Sequence, residues 1–329
     1  MSYVLPVTER EDERFTFREA IDLLKGQLIG NELYQRYGDW PMYAKFFDYN
    51  TPLFHHLHLG EEAAARVGRL SKPEHYYFPR ELNHHLGTFP VTYFGFDPSA
   101  TKDQVRARLQ QYELGDNRIT ELSRAFRMEL GTGWYTAPGV VHAPASLLTY
   151  EPQWNSDVHS VYENVMHGEV IPYNFLVDYC PEAHQRDLDY VMSLMDWDKN
   201  VDPLYKQHYF RPPLPCGSTD APASEEWIAY GNPYVGAIRL SIPPGATVTV
   251  RDPVAYGCIL VQGFGQFGVH HAESIGMLRF GQQSADEFFV SEPAARQGVT
   301  ILNRSRCEPM VWFKHFGPTH PEMPAAPAN

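Results

Sequence analysis

The stretch TPLFHHLHLGEE, residues 51–62, places three histidines and two glutamates within twelve positions. Its length and composition suit a strand, on which side chains two apart share a face. His56 and His58 then point one way and His55 the other. Leu53, Leu57 and Leu59 share the face of His55, so that face belongs in a sheet–sheet core or against a helix. The opposite face carries two imidazoles into a barrel interior or toward solvent. A bound divalent metal takes three or four protein ligands, so two histidines need partners from elsewhere in the chain. Glu74 in LSKPEHYY and His142 in APGVVHAP are the best further donors. A set of three imidazoles and a carboxylate suits zinc, manganese, iron or nickel without choosing among them.

The chain around this stretch is that of a folded protein with two domains. It has 329 residues, 43% hydrophobic and 20% charged, with 14% aromatics and many prolines and glycines. That length exceeds what one core usually serves. The formal net charge of −13 repels phosphate backbones and anionic lipid, so nucleic acid and membrane are not expected as partners. The four cysteines, Cys180, Cys216, Cys258 and Cys307, form no CxxC pair and read as free thiols in a reducing compartment. The N-terminus is charged and no apolar run approaches the length of a membrane span. A cytoplasmic protein is expected.

Thr16-Phe17-Arg18-Glu19 has the form of a capping box opening a short helix. Short strand-like runs follow from Met42 to about Tyr150, interrupted by DPSATKDQVRARLQQYEL. There Val105, Leu109 and Tyr112 repeat at helical spacing, and the helix should start near Ser99 or Thr101. A second helical region covers about 176–205. Residues 211–226, RPPLPCGSTDAPASEE, read as a linker. Beyond it, alternating strands run to PMVWFKHF, and THPEMPAAPAN reads as a disordered tail. Both halves run strand, Pro-Gly turn, short strands and a late turn, Ala137-Pro138-Gly139 in one and Glu292-Pro293-Ala294 in the other. The predicted fold is therefore dominated by β-structure: two closed β-barrels with a few added helices. The expected domains are 1–210 with the metal site, the linker 211–226, a second barrel over 227–318 and the tail 319–329.

Four motifs in order then give a family resemblance. TPLFHHLHLGEE resembles the strand on which class I mannose-6-phosphate isomerases carry a metal-binding Gln and His two apart. Here His56 stands in place of the Gln and His58 matches the His. LSKPE resembles that family's Lys-x-Glu element, implying Glu74 as a ligand and Lys72 as a substrate-site lysine. GWYTAPGVVHA resembles the turn that supplies the last histidine, His142. LTYEPQWNSDVHSVYEN resembles a Glu-x-x-x-Asn-Ser-Asp run, matched by Glu151, Asn155, Ser156 and Asp157. The resemblance covers about residues 42–165. It implies two cupin (jelly-roll) barrels, one divalent metal with zinc as the first choice, and carbohydrate isomerisation.

One departure bears on substrate. The family carries an arginine shortly after Asn-Ser-Asp, whereas this chain reads Val158-His159-Ser160-Val161-Tyr162. A phosphosugar then lacks its cationic partner, and a neutral sugar or sugar acid fits better. His159 is the residue placed to carry a proton or touch substrate, beside Asn155 and Asp157. The reading leans toward an enzyme that interconverts aldose and ketose, with Glu151 as base and Lys72 stabilising an oxyanion. A carboxylate that only orients a ligating histidine is the competing role for Glu151. The alternatives are a metal-dependent cupin oxygenase and a sugar-binding cupin without catalysis. The expected partner is a small sugar, with a homodimer as a further option.

Two features are read as decoys. Gly263-Phe-Gly265-Gln-Phe-Gly268 fits the dinucleotide pattern literally, but strand-like runs flank it where a helix would have to open. His270 and His271 are adjacent, so at most one could serve a metal with Glu273. In the second barrel Val250 and Asp252 stand where a His-x-His pair would be, and Lys314 and His315 read as strand termini.

Overall fold

The computed structural model describes residues 3–4, 14–48, 53–83, 90–144, 146–216, 222–276 and 284–326. The chain forms two compact units. One is Tyr43–Pro212 with 326–329, and the other is Met1–Met42 with Pro213–Ala325. The first 42 residues thus group with the C-terminal barrel rather than with the site-bearing one.

In the unit Tyr43–Pro212, two five-stranded sheets make the barrel. One runs in the order Phe210–Arg211, Gly133–Thr136, Glu74–Tyr77, Thr149–Trp154, Met42–Phe47. The other runs Ser160–Val161, His56–Leu57, His142–Ala143, Val91–Phe96, Ser123–Arg127. Each sheet therefore interleaves strands distant in sequence, as a jelly roll requires. Leu57 and Leu59 are fully buried and pack with Val105, Leu109 and Tyr112. Val105 and Leu109 lie on the helix Lys102–Gln110, opened by Thr101, whose side chain and that of Gln104 satisfy each other's backbone N–H groups. Burying each such leucine is worth ~1.5–3 kcal/mol, enough to decide which face of the histidine strand turns outward. Four short helices, Asn174–Val177, Leu188–Ser193, Trp197–Asn200 and Tyr205–Tyr209, occupy the second region read as helical.

The second unit has a six-stranded sheet in the order Leu214–Pro215, Ser224–Ala229, Gly236–Ile242, Met310–Phe316, Tyr256–Gln262, Glu287–Val290. A four-stranded sheet runs Thr247–Val250, Val299–Asn303, Phe264–Phe267, His270–Glu273. The three glycines of the decoy motif lie at and between Tyr256–Gln262, Phe264–Phe267 and His270–Glu273, with no helix among them. Thr16 caps the helix Phe17–Leu24 with the reciprocal Glu19 bond expected, but the helix stops at Lys25, whose φ of +51° breaks it.

Four expectations need correction in this unit. Much of the stretch read as a linker is strand: Leu214 pairs with Trp227 and Pro215 with Glu226, while residues 217–221 lie outside the described ones. The described part of the tail is packed. The His320 ring lies edge-on to Trp227 at 4.9 Å, and Pro324 O accepts from Gly231 N at 3.1 Å. The late turn at Glu292 is a helix, Glu292–Gln297. Finally, Lys314 and His315 lie buried within the strand Met310–Phe316 rather than at a terminus. Proline and small polar residues misled the first two readings, because an edge strand accepts Pro where no ladder N–H is needed.

Candidate metal centre

His56 and His142 are directly opposite each other on neighbouring antiparallel strands. Such a pair brings side chains within ~5 Å. His58, two residues on, leaves the chain on the same side as His56. The ring centroids of the three lie 4.3 Å (His56–His142), 4.9 Å (His56–His58) and 5.1 Å (His58–His142) apart. One ligating atom from each falls within 4.8 Å of the others, and all three residues are buried. His55 points away, to Glu163 Oε2 at 2.8 Å and Ser123 Oγ at 2.8 Å.

The tautomers follow from the neighbours. Nδ1 of His56, His58 and His142 lies 2.9 Å from the carbonyl oxygens of Phe54, Val158 and Val140 respectively. A carbonyl only accepts, so each Nδ1 carries the hydrogen and each Nε2 presents a lone pair. Burial pushes His58 down to about 3 against the pull of Glu74, and burial with the neighbouring rings holds His56 well below the usual histidine range. Nε2 of both His58 and His142 is buried without a hydrogen-bond partner.

Glu74, on the adjacent sheet, completes the set. Its Oε1 is 2.9 Å from His58 Nε2 and its Oε2 is 3.6 Å from His142 Nε2. The first contact is within ion-pair distance, yet His58 Nε2 makes no hydrogen bond. We take the two as acceptors facing one space, since Nδ1 already holds the ring hydrogen. Tyr76 OH donates to Glu74 Oε2 at 3.0 Å, and Lys72 Nζ is 3.0 Å from Oε1. Burial alone would raise the Glu74 carboxyl, but neighbouring charge, with the Lys72 ammonium at 3.0 Å, holds it well below the carboxylate range. The buried Nε2 lone pairs of His58 and His142 face this space without a donor, which is what a divalent cation satisfies, so this donor set fits a metal. The donors are three nitrogens and one oxygen, as in many zinc, iron and manganese sites.

Around them is a cavity of about 140 Å³ lined by Lys45, Phe47, Phe54, Lys72, Glu151 and His159, among others. Glu151, on Thr149–Trp154, is buried, and Lys45 Nζ lies 3.0 Å from its Oε1, an ion pair by distance without hydrogen-bond alignment. Burial, then the nearby Glu74 charge, pushes the Glu151 carboxyl well above its ordinary range. Because the Nδ1 positions of the three histidines are taken by backbone carbonyls, Glu151 does not orient them. Lys72 loses from burial but gains more from Glu74 and Glu151, which raises its pKa.

The remaining sequence candidates spread out. Asp157 is exposed and reaches Lys72 at 3.5 Å and Tyr43 OH at 3.3 Å. His159 lines the cavity, with Nδ1 2.8 Å from Asp157 O. Asn155 is exposed and outside the lining. Lys45, Tyr43 and Tyr76 escaped the sequence reading. A signal existed for each: Lys45 shares a strand face with Tyr43 and Phe47, and Tyr76 sits two residues from Glu74.

No family model matches the chain, and no curated protein does. Solved structures do. Mannose 6-phosphate isomerase from Bacillus subtilis is 15% identical with a TM-score of 0.58, over 86% of this chain and 80% of that one. A point mutant of phosphomannose isomerase from Salmonella typhimurium is 10% identical with a TM-score of 0.60, over 96% and 87%. A mannosephosphate isomerase candidate from Archaeoglobus fulgidus is 12% identical with a TM-score of 0.63, over 93% and 81%. The fold of this chain is thus the cupin fold of the mannose-phosphate isomerases.

Proposed function

We propose that this protein is a metal-dependent aldose–ketose isomerase acting on a sugar without a phosphate group. One observation carries the reading: three Nε2 lone pairs and the Glu74 carboxylate converge at a cavity whose wall holds Glu151, a buried carboxyl raised well above its ordinary range. His56, His58, Glu74 and His142 would hold one divalent ion, with zinc as first choice. The ion supplies Lewis acidity toward a carbonyl and its neighbouring hydroxyl.

The chain's own groups would do the rest. Glu151 would take a proton from the carbon beside the carbonyl and return it to the carbonyl carbon, while the neighbouring hydroxyl's proton passes to the former carbonyl oxygen through an enediol. Its raised pKa makes it a stronger base than an ordinary carboxylate. Lys45 at 3.0 Å holds the carboxylate while it is ionised. Lys72 lies beside the Glu74 ligand oxygen and offers an ammonium to an oxygen that gains charge. Both lysines lining the cavity already face a carboxylate, at 3.0 Å in each case, which favours a neutral sugar over a dianionic phosphosugar.

The test is isomerisation of a panel of free and phosphorylated sugars, followed by NMR in deuterium oxide with zinc or manganese added. Deuterium entering at the carbon next to the carbonyl of a free sugar, lost in Glu151→Gln, is the expected result. Turnover of phosphosugars alone would refute the substrate assignment. Oxygen consumption by an iron-loaded protein without isomerisation would refute the reaction.

A further inference from the structure

The carbonyls that hold two of the ligand histidines belong to peptide units whose N–H groups are gripped from behind. Phe54 O accepts from His56 Nδ1 at 2.9 Å. The N–H of that same peptide, on His55, donates to Glu163 Oε2 at 2.9 Å. His142 repeats the construction. Its Nδ1 donates to Val140 O at 2.9 Å, and the N–H of that peptide, on Val141, donates to Asn200 Oδ1 at 2.9 Å. Neither Glu163 nor Asn200 lines the cavity.

Both grips are themselves braced. Glu163 Oε2 also accepts from the His55 ring, whose far nitrogen meets Ser123 Oγ, so the outward histidine links Glu163 to the strand Ser123–Arg127. Asn200, fully buried, donates through Nδ2 to Gly139 O and Asp196 O, each at 2.7 Å. An amide whose N–H is bound to a strong acceptor becomes a stronger acceptor at its oxygen. A carboxylate partner on a ligand imidazole ordinarily sets its tautomer and ring angle directly. Here a peptide bond stands between them.

We propose that Glu163 and Asn200 are positioning residues for the metal-binding histidines. Each acts through one peptide unit to keep His56 or His142 as the Nδ1–H tautomer with Nε2 directed at the ion. The proposal rests on the metal reading of the cavity. It also accounts for why His56 can stand where the resembling family has an amide: an imidazole needs its second nitrogen held, and the 54–55 peptide holds it.

The test reads tautomers in metal-free, nitrogen-15-labelled protein by NMR, and zinc affinity separately by chelator competition. In Glu163→Ala, His56 should become a mixture of tautomers while His142 keeps its Nδ1–H form. Asn200→Ala should do the reverse. Zinc affinity should fall about 10–100-fold in either. Glu163→Gln keeps the acceptor oxygen and is the variant to rely on if the alanine change does not fold. It should retain the His56 tautomer and weaken zinc about three- to tenfold. An unchanged His56 ring in Glu163→Ala, equal disturbance of both rings, or zinc affinity in Glu163→Gln within twofold of the parent would each overturn the proposal. Wild-type protein that binds no zinc, yet shows the selective tautomer shifts, would overturn the metal reading while leaving the peptide relay intact.

Discussion

The two barrels bury polar side chains in opposite ways. In the barrel of Tyr43–Pro212 three imidazoles turn lone pairs toward the centre, and Lys72, 3.0 Å from Glu74, answers only the carboxylate. In the barrel of Pro213–Ala325 one lysine sits between two carboxylates. Lys314 Nζ lies 3.0 and 2.9 Å from the two oxygens of Asp252 and 2.5 Å from Glu225 Oε1. Burial works against that ammonium, but Asp252 and Glu225 outweigh it and raise its pKa. A polar interior can thus be neutralised from within the chain or left for an exogenous ion. Only the second arrangement offers a place for the proposed metal.

The largest effect should come from removing the internal cation. Lys314→Met strands two buried carboxylates and should cost about 3–5 kcal/mol in chemical denaturation. Replacing Lys314, Asp252 and Glu225 together by apolar residues of similar volume should restore most of it. If the single change is neutral, the two barrels do not differ as argued.

The metal proposed for the first barrel would be external, so stability should depend on its concentration. Zinc at a hundredfold excess over its dissociation constant should add about 2.7 kcal/mol, reversed by chelator. Elemental analysis and thermal melts of His58→Ala and His142→Ala should show that gain lost. Retention of stoichiometric zinc in both variants would remove the assigned ligands.

Buried histidines give both barrels a pH effect, and His315 tests it away from the candidate metal site. Burial pushes His315 down from 6.5 to about 4. As pH falls, the unfolded chain takes the proton first, so stability is intact above about 6.5 and is lost as pH drops toward 4. By linkage this amounts to about 2 kcal/mol at pH 5. His315→Gln should lose that much less between pH 7 and pH 5. The ring packs where a side chain on Gly257 would go, with Nε2 2.1 Å from an added Cβ, so only an uncharged replacement of similar size fits. The smallest effect is Thr16→Ala, which removes the capping box of Phe17–Leu24 and should cost about 1 kcal/mol in melts.

Much of the site was legible because strand geometry is local. The two-residue period alone sets His56 and His58 on one side with His55 on the other, and the apolar Leu57 and Leu59 decide which side is core. The capping boxes at Thr16 and Thr101 were legible for the same reason, since their partners lie three residues away. Lys45 and Tyr76 were within reach of the same period and needed only to be weighed as inward positions. Lys314 was misplaced because nothing near it in sequence announces Asp252 or Glu225, 62 and 89 residues earlier by the numbering. Proline-rich 211–216 and the final segment looked unstructured because composition reports propensity, not the sheet edge or aromatic surface that later receives a strand.

By itself the sequence determined the strand periods, the helix starts and the kinds of ligand available, all set by chemistry within a few residues. The tertiary structure decided what those pieces meet. It brought His142 opposite His56, laid Glu74 between two of the rings, and set Glu163 and Asn200 behind the peptides that hold the ligands. Those outcomes depend on sheet registers closed by burial of apolar faces over long loops, a sum over the whole barrel that no short stretch contains.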